Sequence, residues 1–290
     1  MLRIWEELDR LENLFLELLD DPYKKEVLLY PICYCQQVRR SGEFELPLER
    51  VLYCAEKPYK LVGGDWRDIF LELGIFYVKA PNGEIFQGKD ILKIKDKEKL
   101  KVGIINSYRE DFYGFYTKLL KYWSVLSSKS FYGNNPNPET STRMLVLTFN
   151  EKLYKESKYY AELLCARYPE EKNFFEAIKL LAEFYTEDEK ESKDKLRKAL
   201  KLLKNLESFY SVDVVKLRKD IEKLINGNVK PITISFIKEK RRKRRGLFSR
   251  IWNFIKSLGG KRWSSASSEA DYYYFIETLL RKPKRQPTMN

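Results

Sequence analysis

The side chains whose chemistry stands out are cations, and they are concentrated near the C-terminus. Residues 231–290 contain 15 Lys or Arg and 4 Asp or Glu, whereas residues 1–230 contain 40 basic and 38 acidic residues. The strongest run, RRKRRGLFSRIWNFIKSLGGKRW at residues 241–263, joins five cations to an apolar-faced segment and a second basic cluster. A charge confined to the last fifth of the chain predicts an anionic partner with a defined footprint.

We expect this partner to be a nucleic acid, either RNA or DNA, bound through its phosphate backbone. Cationic side chains bind phosphates and release counterions, and an aromatic side chain such as Trp263 can stack on a base. Positive charge flanks residues 247–258 on both sides, which favours a polyanion over a membrane, where one flank suffices. The predicted contact residues are Lys240, Arg241, Arg242, Lys243, Arg244, Arg245, Arg250, Lys256, Lys261, Arg262 and Trp263.

Residues 247–258 predict an amphipathic helix within this basic C-terminal part of the chain. At 100° per residue, the apolar side chains fill an arc of about 160°. Such a helix has about three turns and is marginal alone in water, so it needs a surface to fold against. Four surfaces stay open as alternatives: the core of the protein itself, a protein partner, the nucleic acid and an anionic membrane surface. A solvated tail remains another interpretation of the charge run.

No residue pattern identifies an enzyme. The chain has no histidine, which is the usual base at neutral pH and the commonest metal ligand. Cys33, Cys35, Cys54 and Cys165 could supply four thiolates to zinc, but Cys165 lies in an apolar helical pattern that is typical of a buried cysteine. We therefore predict a non-enzymatic accessory or scaffold protein without a metal or cofactor.

One enzymatic alternative stays open, a divalent-metal-dependent nuclease. Carboxylates surround a predicted helix and hairpin in the N-terminal half and could hold a divalent ion. Helix capping and surface solvation explain the same residues more simply. The candidates are Asp65, Asp68, Glu72, Glu84 and Asp90.

The elements that carry these residues predict a mainly α fold in three regions. Residues 1–140 form an α+β region, residues 143–227 an antiparallel helical bundle, and residues 228–290 the basic arm. The first region opens with a helix, because apolar residues follow the 3.6-residue period. These residues are Ile4, Trp5, Leu8, Leu11, Phe15, Leu18 and Leu19.

Local signals place further elements in the N-terminal region. Asp65 predicts the cap of a helix over 66–73, and the turn at 81–83 predicts a hairpin of strands 75–80 and 84–87. A helix followed by a hairpin is the outline of a winged-helix module. Between the opening helix and Asp65, the chain is expected to form short elements broken by Pro31, Pro47, Pro58 and the Gly63-Gly64 pair. A tyrosine-rich helix is expected over 105–126, and residues 133–142 are expected to form a linker.

The central region carries apolar residues three and four apart in the segments 151–167, 170–186, 190–208 and 212–225. FNEKLYKESKYYAELL at 149–164, IKLLAEFYT at 178–186 and YSVDVVKLRKDIEKL at 210–224 resemble the helical domain-of-unknown-function family numbered 309. The resemblance covers about 80 residues and implies a helical fold for them. Members of that family usually carry a histidine at the position of Lys158 and often another at the position of Thr186, so the resemblance implies no histidine-dependent chemistry here.

The remaining composition indicates a folded protein of the cytoplasm. The 43% of hydrophobic residues can fill a core, and no run of about eighteen apolar residues predicts a membrane-spanning helix. The N-terminal stretch is acidic and amphipathic, unlike a signal peptide, and four cysteines fit a reducing compartment. Abundant Lys, Glu and Tyr without histidine give a thermophile-like composition.

Overall fold

A computed structural model describes residues 6–56, 64–128, 137–186, 192–227 and 230–237, which form a mainly helical fold with a small sheet. The helices are α1 (Arg10–Asp20), α2 (Leu29–Ser41), α3 (Leu48–Glu56), α4 (Trp66–Leu73), α5 (Asn106–Arg109), α6 (Phe112–Leu126), α7 (Pro138–Asn150), α8 (Tyr154–Arg167), α9 (Lys172–Thr186), α10 (Ser192–Leu203) and α11 (Val214–Ile225). Short 3-10 helices span Pro22–Leu28, Gly88–Lys93 and Pro169–Glu171. The predicted mainly α fold with a mixed N-terminal region is confirmed. None of the described helices combines the length and the apolar character needed to cross a membrane.

The strands are β1 (Leu46–Pro47), β2 (Phe76–Lys79), β3 (Ile85–Gln87), β4 (Lys101–Ile104), β5 (Ser208–Phe209) and β6 (Val212–Asp213). The first four form one antiparallel sheet in the order β1-β4-β2-β3, and β5 pairs with β6. The predicted hairpin is confirmed as β2 and β3, with Val78 opposite Phe86. Strand β4, which pairs with both β1 and β2, was not predicted from the sequence.

Local capping decides where several helices begin. The predicted helix α4 is confirmed: Asp65 accepts a hydrogen bond from the backbone of Arg67, and Gly74 ends the helix with a left-handed conformation. The opening helix starts later than predicted, at Arg10, because Asp9 and Glu12 form a reciprocal capping box. Leu8 therefore precedes the helix, and Ile4 and Trp5 lie outside the described residues.

Three predicted boundaries were wrong for identifiable reasons. Pro31 does not break the chain, since it lies in the first turn of α2, where a missing N–H costs little. Half of the expected linker 133–142 is helical, because Asn137 caps α7 and Pro138 occupies its first position. The expected helix over 105–126 is two helices, because Asp111 caps a new helix by accepting a hydrogen bond from Gly114.

The C-terminal helices form the predicted helical bundle. Helix α8 packs against α7 and α9, α9 packs against α10, and α10 packs against α11. Helix α1 contacts α7 and α8, so the described residues up to Ile234 form one compact unit that spans the boundary predicted near 140. The unit extends beyond α11: Ile232 and Ile234 are buried, and the backbone of Ile234 exchanges two hydrogen bonds with the Asn150 side chain at 2.8 and 3.0 Å.

A buried ionic network links α1, α6 and α8. Glu12 and Glu156 are only 4% and 2% exposed, and Lys118 donates to Glu12 and lies 3.0 Å from the carboxylate of Glu156. Lys155 donates to Glu12 at 2.8 Å, and the Tyr122 hydroxyl donates to Glu156 at 2.5 Å. Buried carboxylates are tolerated only when paired and hydrogen-bonded. The network therefore requires these helices to stay in contact.

A second pair fastens the other end of α1 to α8. Arg167 donates to both carboxylate oxygens of Asp20, at 2.8 and 2.6 Å, and the Tyr160 hydroxyl donates to the same carboxylate at 3.3 Å. The two nitrogen–oxygen contacts of a guanidinium with a carboxylate fix orientation as well as distance. Between the two polar contacts, Phe15 stacks on Tyr122 with ring centres 3.9 Å apart.

Replacement of Lys118 by alanine should lower the free energy of unfolding by about 3 kcal/mol, because it leaves two buried carboxylates poorly compensated. Lys93→Ala is the matched control, since Lys93 pairs with Asp90 on an exposed surface and should leave stability almost unchanged. Urea denaturation of both variants measures the difference. Equal midpoints for the two variants would contradict the role assigned to Lys118.

The stability contributed by Glu12 should depend on pH. Burial alone raises the pKa of this carboxyl, but hydrogen bonds from Lys118 and Lys155 outweigh burial and lower the pKa below its ordinary value of 4.5. The contribution is therefore complete above about pH 4.5 and is lost as the pH falls through the lower, folded-state value. Denaturation from pH 6 to pH 3 should show the wild type and Glu12→Gln converging. A difference that stays constant over this range would contradict the assignment.

Candidate functional site

The contact residues predicted in the basic arm, from Lys240 to Trp263, and the amphipathic segment 247–258 lie outside the described residues. The described part contains a second concentration of cations, residues 192–227, which we call the cationic hairpin. It comprises α10, β5, β6 and α11, and contains 10 Lys or Arg and 5 Asp or Glu. Residues 1–191 contain 29 basic and 33 acidic residues, so the body of the protein is not uniformly neutral.

Helix α10 separates its apolar and cationic side chains. Its apolar residues Leu196, Ala199 and Leu203 recur at spacings of three and four and are fully buried. The opposite side of the helix and the turn that follows it are exposed and basic. The exposed cations are Lys193, Arg197, Lys198, Lys201 and Lys204. This spacing is what an amphipathic helix requires to pack one face and solvate the other.

Helix α11 repeats the pattern. Val214, Leu217 and Ile221 are buried, whereas the exposed lysines follow the same spacing of three and four residues along the other face. The helix begins at a definite point because Asp213 accepts a hydrogen bond from the backbone of Lys216 at 2.9 Å. The exposed lysines are Lys216, Lys219 and Lys223.

The two helices are held together by the turn between them. Phe209 in β5 stacks on Phe174 of α9 at 4.1 Å, which anchors the turn on the bundle. The guanidinium of Arg218 donates to the backbone carbonyl of Lys204 at 2.6 Å and so ties α11 to the end of α10. A fixed turn keeps the lysines of each helix at constant positions on the bundle.

Several of these cations take part in no ion pair within the residues that the structure describes. Arg197 pairs with Asp194 and Lys223 with Asp220, each at 2.8 Å, and such exposed pairs within one helix are weak. Within the described ranges, the side chain of Lys201 takes part in no ion pair, and the same holds for Lys198 and Lys204. These ammonium groups can therefore bind an external anion without breaking a contact of the fold.

A groove of about 600 Å³ lies between α9 and α10 beside these lysines. Its lining combines the cations Lys198 and Lys201, the amides of Asn173 and Asn205, and leucine side chains. Ammonium and amide groups are the donors that contact phosphate and sugar oxygens of nucleic acids. Glu176 is also part of the lining and contributes an opposite charge.

Two of the carboxylates considered for a nuclease site, Asp65 and Asp90, have partners close by in the sequence. Asp65 accepts hydrogen bonds from the Arg67 side chain at 2.9 and 3.0 Å as well as capping α4. The Arg67 side chain is the main reason that the pKa of Asp65 is lowered. Asp90 pairs with Lys93 at 2.6 Å. In the part of the chain that the structure describes, no group of three or more Cys, Asp or Glu is arranged to hold a metal ion.

The four cysteines occupy different environments. Cys33 and Cys35 are fully buried in α2, whereas Cys54 in α3 and Cys165 in α8 are half-buried. The Sγ atom of Cys165 lies 3.7 Å from Glu176, and burial together with this carboxylate raises the pKa of the thiol to about 12. Cys165 is thus less buried than its apolar pattern predicts, and its thiolate is disfavoured.

The fold and the charged surface define a mainly helical protein that carries a cationic helical hairpin. The chain is 55% identical over 294 aligned residues to an uncharacterized protein of Aquifex aeolicus (strain VF5), with 99% of this chain and 95% of that relative covered. The chain belongs to the same family as this Aquifex protein. No family model matches the chain. No solved structure matches it significantly.

The cationic hairpin was not predicted from the sequence, because its charge is hidden when residues 1–230 are taken as a whole. The excess of five cations in 192–227 is almost cancelled there by four excess acids in 1–191. The helical spacing of lysines opposite a buried apolar stripe was the signal that could have revealed it. Counting charges within each predicted helix would have separated the two contributions.

Proposed function

We propose that the protein is a non-enzymatic accessory or scaffold protein that binds the phosphate backbone of a nucleic acid in the cytoplasm. The observation that supports this function is the segregation of positive charge. Residues 231–290, most of the arm, have a net charge of +11, the cationic hairpin has +5, and residues 1–191 have −4. Lys and Arg gathered in this way attract a polyanion over a limited part of the protein surface.

We propose that the cationic hairpin binds the nucleic acid as well as the arm does, through lysines that have fixed positions on the bundle. Lys198 and Lys201 on α10 and Lys204 in the turn that follows α10 are exposed on the bundle. Contacts of this kind position a nucleic acid without reading its bases, because phosphate contacts carry no sequence information. The binding we propose is accordingly dominated by charge and depends strongly on salt concentration.

The proposed relation to the helical family numbered 309 is compatible with this role. The resembling segments contribute to α8, α9 and α11 of the bundle. Lys158, at a position where that family carries histidine, lies with its ammonium 5.3 Å from the ring centre of Tyr159. A bundle with a basic arm is suited to contact nucleic acid and a protein partner together.

Binding to a labelled single-stranded oligonucleotide should weaken steeply with salt, and the slope reports the number of phosphate contacts. Replacement of Arg241, Arg242, Arg244 and Arg245 by alanine should flatten the logarithmic salt dependence by roughly one unit for each lost contact. Fluorescence anisotropy of the full chain between low and physiological salt measures this slope. An unchanged slope would exclude the arm as the contact.

The contribution of the hairpin is tested in the same assay with lysines 198, 201 and 204 replaced by glutamine. The matched control removes the same charge elsewhere, at lysines 24, 89 and 93, which are exposed in the N-terminal half. We expect the hairpin variant to lose affinity and slope and the control to lose little. Equal losses in both variants would indicate a response to net charge alone.

An anionic membrane surface is the competing partner for residues 247–258. Trp252 lies in the apolar arc of that segment, so Trp252→Glu should abolish flotation with anionic liposomes if the segment inserts among lipids. Under the proposed function, the wild type does not float at physiological salt, and Trp252→Glu retains oligonucleotide binding. Flotation of the wild type that is lost in Trp252→Glu would favour the membrane instead.

A further inference from the structure

Two cysteines from different helices meet at the contact between α2 and α3. Helix α2 packs against α3, and the Cys33 thiol donates a hydrogen bond to the Cys54 sulfur. Cys33 is fully buried, whereas Cys54 is half-buried and follows Tyr53, which is 62% exposed. Cys54 is therefore partly accessible from solvent, whereas the Cys33 thiol to which it is hydrogen-bonded is not.

Helical spacing explains why polar and cationic groups surround the pair. Gln37 and Arg40 follow Cys33 by four and seven residues, so all three lie along one stripe of α2. Arg50 precedes Cys54 by four residues and shares its face of α3. The guanidinium groups of Arg40 and Arg50 and the amide of Gln37 therefore lie around the two sulfurs.

These neighbours favour a thiolate on Cys54. The hydrogen bond from Cys33 is the main cause that lowers the pKa of Cys54, and a hydrogen bond from Gln37 and the charges of Arg40 and Arg50 act in the same direction. The same hydrogen bond raises the pKa of Cys33, which stays a thiol. A thiolate that is accessible and lies next to a second thiol is the usual arrangement of a redox-reactive cysteine.

The amide of Gln37 offers a further group to this site. Its side chain is 6% exposed, and its carbonyl oxygen Oε1 has no hydrogen-bond partner among the described residues. Buried polar atoms are normally paired, and an unpaired one calls for an explanation. A sulfenic acid on Cys54 would supply an O–H donor to an amide that already contacts this sulfur.

We infer that Cys54 and Cys33 form an oxidation site, in which a hydroperoxide converts the two thiols to a reversible disulfide between α3 and α2. This modification is independent of the proposed nucleic-acid binding, since it involves neither the cationic hairpin nor the arm.

The chemistry proceeds in two displacements. The Cys54 thiolate attacks the hydroperoxide ROOH, the O–O bond breaks, and the leaving alkoxide takes a proton to become ROH, which leaves Cys54 as a sulfenic acid. The Cys33 sulfur then attacks the Cys54 sulfur, the S–O bond breaks, and the leaving hydroxide departs as water with the Cys33 proton. In total, two thiols lose two electrons and the hydroperoxide is reduced to alcohol and water.

The disulfide would close a loop that includes residues 34–53. A crosslink of this kind restricts the unfolded chain and so raises the melting temperature. It would also fix α3 on α2, beside β1, which precedes α3 and pairs with the central strand β4. Cys35 and Cys165 serve as internal references, because burial raises the pKa of Cys35 and burial with Glu176 raises that of Cys165.

The test treats the full reduced chain with hydrogen peroxide at neutral pH and follows its intact mass. We expect a loss of two hydrogen atoms, reversal by dithiothreitol, and a tryptic crosslink between the peptides 26–39 and 51–60. Because Cys33 and Cys35 share the first peptide, the same crosslink must persist in Cys35→Ser. A crosslink that disappears in Cys35→Ser, or one that involves Cys165, would overturn the inference.

Two further variants separate the steps. In Cys33→Ser, dimedone should trap a sulfenic acid on Cys54, because the resolving thiol is gone. In Cys54→Ser, Cys33 should form neither a sulfenic acid nor a disulfide. Oxidation of the wild type to sulfenic acid without a crosslink would show that the sulfurs cannot approach, and no loss of mass in the wild type would also refute the site. The crosslink and the loss of mass are both measured on the wild-type protein, so instability of a serine variant does not obscure these two results.

Discussion

The structure depends on the burial of two carboxylates, Glu12 and Glu156, around the shared cation Lys118. Removing these groups from water is costly unless each charge is compensated, so α1, α6 and α8 must stay together. Glu12 has two tasks, because the capping box with Asp9 that starts α1 also holds its carboxylate in place for the network. Helix α8 in turn supports α9, and α9 supports α10, so the cationic hairpin rests indirectly on this network.

Charge has a second and separate use on the surface of the protein. The apolar sides of α10 and α11 pack these helices on the bundle, and the exposed lysines on their other sides take no part in that packing. Within the described residues, Lys198, Lys201 and Lys204 enter no ion pair, in contrast to the shared cation of the buried network. Buried charge thus holds the helices together, whereas the exposed charge of the cationic hairpin is not used in these contacts.

Features encoded by adjacent residues were predicted more accurately than features that depend on residues far apart in the sequence. Helix α4 and the hairpin β2–β3 were predicted closely, because a cap at Asp65 and the turn at 81–83 are encoded by adjacent residues. Helix α7 was missed because a stretch rich in Asn and Pro is typical of a linker, although Asn137 and Pro138 also start a helix well. Strand β4 carries no comparable local signal, and its place between β1 and β2 arises from pairing across the sheet.

The amino-acid sequence by itself determined the mainly helical class, the amphipathic faces of the bundle and the position of the charge along the chain, because each follows from residue type and local spacing. Only the tertiary structure decided which buried groups meet. The contact of Cys33 with Cys54, and the sharing of one lysine between carboxylates of two other helices, join positions that no periodicity relates. Periodicity shows which side of a helix is buried, but the partner of that side is selected by the packing of all helices together.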